Sequence, residues 1–285
     1  VIREHPLHFF SLYNYFHRYL SQVPCEIIGA LITYGAETFT IIKNYLDYCI
    51  YAHVRIRIIM AEFRRIPTGI KGLDEMVAGG FPFPSVALVA GSAGTGKTTF
   101  SMSFLTQGAN KGEQGLFFTT LSEPTQWMLR YASQFDFVKK NFFGNEIKYE
   151  DIGLLIQKGD YQELLEHIDN KIAEVMPERI VIDPITVVGE FFEEDYRMFL
   201  FELTNLLKNW QAVTLLTGEV NPGETYPPEI TYAVDSVVLL SMIEEEGSRR
   251  KYLEVLKMRG TDHTTGKQPI SITTSDGIVV LKSRF

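Results

Sequence analysis

Between Ser85 and Ala109 a short apolar run, a glycine-rich loop and a segment of helical period follow one another without a break. SVALVAG (Ser85 to Gly91) is built from small and β-branched residues, as a buried strand is, and Phe100, Phe104, Leu105 and Ala109 then recur at helical spacing. The loop Gly91-Ser92-Ala93-Gly94-Thr95-Gly96-Lys97-Thr98, with Thr99 behind it, fits G-x-x-x-x-G-K-[ST]. Glycines let the backbone turn its N–H groups inward around a phosphate, and the helix N-terminus adds its partial positive charge at the same point. In that arrangement Lys97 serves the β- and γ-phosphates of a nucleotide and the Thr98 hydroxyl ligates Mg²⁺. The competing reading is a glycine-rich turn with an incidental Lys-Thr, which the strand-loop-helix context disfavours.

Such a loop needs a second metal-positioning acid at the end of a neighbouring buried strand. Arg179-Ile180-Val181-Ile182-Asp183-Pro184 supplies one: the apolar triplet reads as a central parallel strand that Pro184 stops. Asp183 then lies where open α/β sheets place their ligands; its other role would be to cap a turn before proline. The remaining chain alternates as an α/β, doubly wound and mostly parallel sheet requires. Strands are expected over Gly115 to Leu121, Ala212 to Thr217 and Ile278 to Leu281. Helices are expected over Glu123 to Phe135, from a capping box at Asp160 and Glu163 through Met176, and over Asp195 to Trp210. Ser236 to Met242 and Tyr252 to Lys257 flank the charged turn Glu244 to Arg250 and predict a C-terminal β-hairpin.

Composition divides the 285 residues near position 60. Residues 1–59 hold both cysteines, Cys25 and Cys49, four of the six histidines and none of the eight methionines, and carry +1, whereas residues 60–285 carry −9. Met60 is therefore expected to be the biological start, 1–59 a leader dispensable for nucleotide binding, and 60–285 one domain. A second reading makes Ile27, Leu31, Tyr34, Thr38, Ile41 and Ile42 the stripe of a membrane-surface or partner-binding helix. The apolar segment Ile27 to Ile42 holds 16 residues and one charge, short of the ~20 that a membrane span needs. Two cysteines in a chain of this size suit a reducing compartment, the cytoplasm. The net charge of −8 repels nucleic acid and anionic lipid, so phosphate binding has to be local.

Taken in order, PTGIKGLDEMVAGGFP (Pro67 to Pro82), the glycine loop, TLSEPTQWMLRYA, Leu256-Lys257-Met258-Arg259-Gly260-Thr261 and Asp276-Gly277-Ile278 resemble a single KaiC-type domain of the RecA/RadA ATPase superfamily over roughly residues 63–285. The resemblance implies a P-loop NTPase fold, Mg-dependent ATP hydrolysis and a homo-oligomeric, hexameric ring with nucleotide between subunits. It also implies that Lys257 and Arg259, from a K-x-R-G strand, reach the neighbour's γ-phosphate. Residues i and i+2 on a strand share a face, so the spacing agrees; the alternative is a solvated basic pair at a strand end. His263 and Lys267 are weaker candidates for the same interface. Family members carry two adjacent glutamates after the second strand, the first orienting the attacking water. Here Ser122-Glu123 stands there. Serine takes up no proton at neutral pH, so Glu123 substitutes as the base, hydrolysis is slow, or Glu123 only favours the helix dipole.

Three functions remain open at this stage: an ATP-hydrolysing oligomeric switch, a scaffold that binds partners and uses ATP to assemble, and a DNA recombination or repair accessory ATPase. The stretch Glu219 to Asp235 counts against the last, since it holds four acids and no Lys or Arg, a poor surface for releasing counterions from DNA. KaiC also phosphorylates its own hydroxyls, and Thr231 and Tyr232 are the hydroxyls available at the matching point. One domain does not by itself imply a clock.

Overall fold

The structure, a computed structural model, describes residues 64–120, 125–221 and 224–281. The leader with its stripe, Met60, Ser122 and Glu123 therefore lie outside the described residues.

A two-stranded antiparallel ribbon, β1 (Arg65–Ile66) with β2 (Phe81–Pro82), brackets the short helix α1 (Leu73–Met76). There follow β3 (Ser85–Gly91), α2 (Lys97–Ala109), β4 (Gly115–Thr119), α3 (Thr125–Ala132), β5 (Ile147–Asp151), α4 (Gly153–Gln157), α5 (Tyr161–Val175) and β6 (Arg179–Asp183). After them come α6 (Gly189–Phe192), α7 (Tyr196–Asn209), β7 (Val213–Glu219), α8 (Pro228–Ala233), β8 (Ser236–Glu245), β9 (Ser248–Met258), β10 (Gln268–Thr273) and β11 (Gly277–Val280). The main sheet has nine strands in the order β11-β10-β9-β8-β3-β7-β6-β4-β5. It is parallel from β5 to β8 and antiparallel from β8 to β11.

The sheet is doubly wound because its central strands are apolar on both faces. Ala87 and Val89 of β3, Phe117 of β4 and Val181 of β6 pack with α2 and α3, whereas Val86, Leu88, Ala90, Leu116, Phe118, Ile180 and Ile182 pack with α5 and α7. Phe100, Phe104, Leu105 and Ala109 of α2 are all buried, as their spacing predicts. Asp160 caps α5 by accepting from the backbone N–H groups of Gln162 and Glu163. The box is only half closed, because the Glu163 carboxylate turns to Lys158 at 2.6 Å.

Two strands of the main sheet were not expected, nor was the β1–β2 ribbon. β5 carries the half-polar run IKYED and β10 contains Pro269, and both lie at or next to sheet edges, where one-sided burial weakens the apolar pattern. The predicted hairpin exists and is tighter than its charged turn suggested: β8 and β9 run to Glu245 and Ser248, and Glu246 and Gly247 turn with positive φ of 51° and 74°.

One ion pair ties the end of the sheet away from the glycine loop. Arg179 is fully buried, donates to the Glu113 carboxylate at 2.6 Å and to the carbonyls of Pro67 and Phe104 at 2.8 and 2.9 Å, and stacks on the Phe104 ring. Arg179→Ala leaves Glu113 without its partner and opens a void. The expected loss is about 3–5 kcal/mol, a fall in melting temperature of roughly 10 °C. A fall under 2 °C in thermal unfolding would show that the pair is dispensable.

Candidate functional site

Three adjacent strands, β3, β7 and β6, end at one place, with β7 between the other two. β3 delivers the glycine loop, β6 delivers Asp183, and β7 delivers two side chains that join them. The chain leaves β3 through α2 to reach β4, beyond β6, and leaves β7 to cross to β8 on the other side of β3. The carboxyl ends of the strands at such a reversal of winding form a crevice for ligands.

The loop adopts backbone that side chains resist. Gly94 and Gly96 have φ of 77° and 111°, and a Cβ on Gly96 would meet Ile272 Cδ1 at 2.7 Å. The β10–β11 hairpin therefore packs directly against the loop. Thr95 closes the turn by donating its hydroxyl to the Ser92 carbonyl at 2.8 Å. Lys97 opens α2 and is 7% exposed; its ammonium donates to the carbonyls of Gly91 and Ser92 at 2.8 and 3.1 Å and pairs with Glu219 at 2.6 Å. An ammonium has three protons, and all three are used.

Asp183 is buried at the end of β6. It accepts from the Thr98 hydroxyl at 3.0 Å through one oxygen and from the Thr217 hydroxyl through the other. Burial pushes its carboxyl above the ordinary range, against the two hydroxyls and the Lys97 charge, which pull it down, and Glu219 adds to the rise. Thr98 and Asp183 are thus side by side beside Lys97. Two protein oxygens are a sparse cage, and no group of three or more His, Cys, Asp or Glu side chains capable of holding a metal exists among the described residues. That donor set suits Mg²⁺, which keeps several waters and takes phosphate oxygens for its remaining positions.

Lys257 and Arg259 are not brought to this loop. β9 runs antiparallel to β8, so Met258 lies opposite Ser236, which in turn pairs with Ala87 near the start of β3. The ammonium of Lys257 donates to the carbonyls of Thr231 and Val234 at 3.0 and 2.7 Å, and Arg259 donates to the Asp235 carboxylate at 3.1 Å. Burial and the neighbouring Arg259 charge hold Lys257 below its ordinary pKa. Asp235 also takes Lys208 at 3.2 Å and the Val86 N–H at 3.1 Å, so it anchors this basic cluster to the sheet. Thr231 gives its hydroxyl to the Pro227 carbonyl, and Tyr232 is exposed. His263 and Lys267 lie in the link between β9 and β10, where His263 faces the Thr264 carbonyl at 3.4 Å.

Three participants were missed in the sequence. Glu219 counted only as one acid of an acidic stretch, although it ends an apolar strand just as Asp183 does. Thr217, two residues earlier on the same face, had the same signal. Lys251 had none: its ammonium reaches the Gly94 carbonyl at 2.7 Å only because the β8–β9 register carries it across the sheet.

Comparison with known proteins gives the family. Residues 66–284 match the family described as "ATPase: KaiC". A circadian clock oscillator protein KaiC of Prochlorococcus marinus is 35% identical over 237 residues, 78% of this chain and 46% of that protein. The chain thus spans about half the length of the clock proteins it matches. A UPF0273 protein of Pyrococcus horikoshii is 30% identical over 233 residues, 76% of this chain and 94% of that protein. The crystal structure of a KaiC-like protein from Pyrococcus horikoshii superposes with a TM-score of 0.69 at 30% identity, covering 78% of this chain and all of the other.

Proposed function

This chain belongs to the KaiC ATPase family, and from that premise we propose that it binds ATP with Mg²⁺ at the loop Gly91 to Thr99, hydrolyses it, and works in the cytoplasm as a nucleotide-dependent homo-oligomeric switch. The observation that carries the proposal is the contact of Thr98 with Asp183 at 3.0 Å beside a buried Lys97. A loop hydroxyl and a strand-end acid meet where a phosphate and its metal belong. Thr98 and Asp183 would hold the metal, and the bound ion would supply charge neutralisation for the phosphates. The backbone N–H groups of the loop and Lys97 orient the phosphate chain, and the β10–β11 hairpin holds the loop in shape. Lys257 and Arg259 serve a neighbouring subunit's γ-phosphate, since their own loop lies at the other end of the strands. No helix among the described residues is long and apolar enough to cross a membrane.

Titration calorimetry with ATP tests the binding step. Lys97→Ala removes a charge-assisted contact worth roughly 1.5–3 kcal/mol, so ATP affinity should fall about 10-fold to 150-fold. Unchanged affinity in a folded Lys97→Ala protein would remove the phosphate-binding assignment.

A further inference from the structure

We propose that Glu219 is the carboxylate that positions the attacking water and takes its proton, a role that rests on the site being an ATPase. Three observations lead to it. The first is place: Glu219 ends β7, the strand between the one that supplies the loop and the one that supplies Asp183. The second is distance. Its carboxylate lies 2.6 Å from the Lys97 ammonium, and a lysine in such a loop serves the γ-phosphate. Two hydrogen-bond lengths in series put the carboxylate within about 5.5 Å of a γ-phosphate oxygen, which leaves room for one water between them. The third is mounting. The Glu219 N–H donates to the Thr186 hydroxyl at 3.0 Å, and Thr217, two residues before, is fixed on Asp183. The backbone is held while the side chain, 45% exposed against 7% for Lys97, faces the open side from which water arrives.

The position also answers the departure after the second strand, where Ser122 has no proton-accepting group to offer. The step balances. The water oxygen forms a bond to the γ-phosphorus as the bond from that phosphorus to the bridging oxygen breaks, and the bond's electron pair leaves on the β-phosphate of ADP. The water proton passes to the Glu219 carboxylate and from there to solvent, giving ADP, inorganic phosphate and a proton. In the nucleotide-free chain the same carboxylate neutralises Lys97.

The experiment compares the full chain with its Glu219→Gln, Glu219→Ala and Glu123→Gln variants, measuring ATP affinity by calorimetry and phosphate release at saturating ATP and Mg²⁺. Glutamine keeps the size of the side chain and loses the proton acceptor. Glu219→Gln and Glu219→Ala should lower kcat about 100-fold or more with ATP affinity unchanged or tighter, since a charge competing for Lys97 is gone. Retained ATP binding also shows that the variants fold. Glu219→Gln turnover within threefold of wild type would overturn the proposal and leave Glu219 a counter-ion for Lys97. So would a 100-fold loss in Glu123→Gln alone, or lost ATP binding in Glu219→Gln. A wild-type chain that binds ATP without hydrolysing it would overturn this proposal and leave nucleotide binding standing, whereas a wild-type chain that does not bind ATP would overturn both.

Discussion

Arg259→Ala is expected to lower ATP turnover of the assembled protein about 10³-fold while leaving the ATP affinity of the isolated subunit near wild type. The size follows from what a planar, permanently charged guanidinium contributes when it meets charge spread over a transferred phosphoryl group. The sparing of affinity follows from the register. Met258 pairs with Ser236 and Ser236 with Ala87, whereas the loop begins at Gly91, four residues further along β3 and roughly 13 Å away. Arg259 is 58% exposed and uses one donor nitrogen on Asp235, so most of its fork remains available to a neighbour. Mixing decides the matter: Lys97→Ala subunits combined with Arg259→Ala subunits should regain activity at interfaces that have one intact half from each. Co-assembly without recovery at any ratio would show that the finger does not act across subunits.

Asp183→Asn should separate stability from activity. Because the folded carboxyl lies above its ordinary range, the native state binds more protons than the unfolded chain between those two values, and stability falls as pH rises through that window. Above it the buried charge is a standing destabilisation. The amide carries no charge at any pH and still accepts from one hydroxyl, so the nucleotide-free variant should lack that fall in stability and melt no lower than wild type at pH values above the window. Turnover should fall at least 100-fold, since the acid that would hold the metal is lost and several kcal/mol of charge stabilisation go with it. Added Mg²⁺ with ATP should raise the melting temperature of wild type more than ATP with chelator does, and the difference should vanish in the variant. Wild-type turnover in Asp183→Asn, or a melting point that drops by several degrees, would show that Asp183 is structural.

The two strand-end acids show how far local pattern reaches. Asp183 could be read because proline follows it and an apolar triplet precedes it. Glu219 has an equally apolar strand before it, but an acidic stretch follows, and the surrounding acids hid it. β5 escaped notice for a related reason: Lys148, Tyr149 and Glu150 are each only half buried at the sheet edge, so the run does not read as a core strand. Lys257 and Arg259 enter as a pair through the family resemblance, whereas their hold on Thr231, Val234 and Asp235 depends on the packing of α8 beside the start of β8.

Loop, leading strand and following helix are contiguous in the chain, so backbone freedom at glycine, burial of SVALVAG and the helix start at Lys97 are all local facts, and the sequence determined them unaided. The α/β class followed from the alternation of apolar runs for the same reason. Strand order is another matter. Nothing local says that β7 inserts between β3 and β6, and that single choice places Thr217 on Asp183 and Glu219 on Lys97. It is settled by burying both faces of the central strands under helices at once, a condition on the whole sheet that no segment satisfies alone.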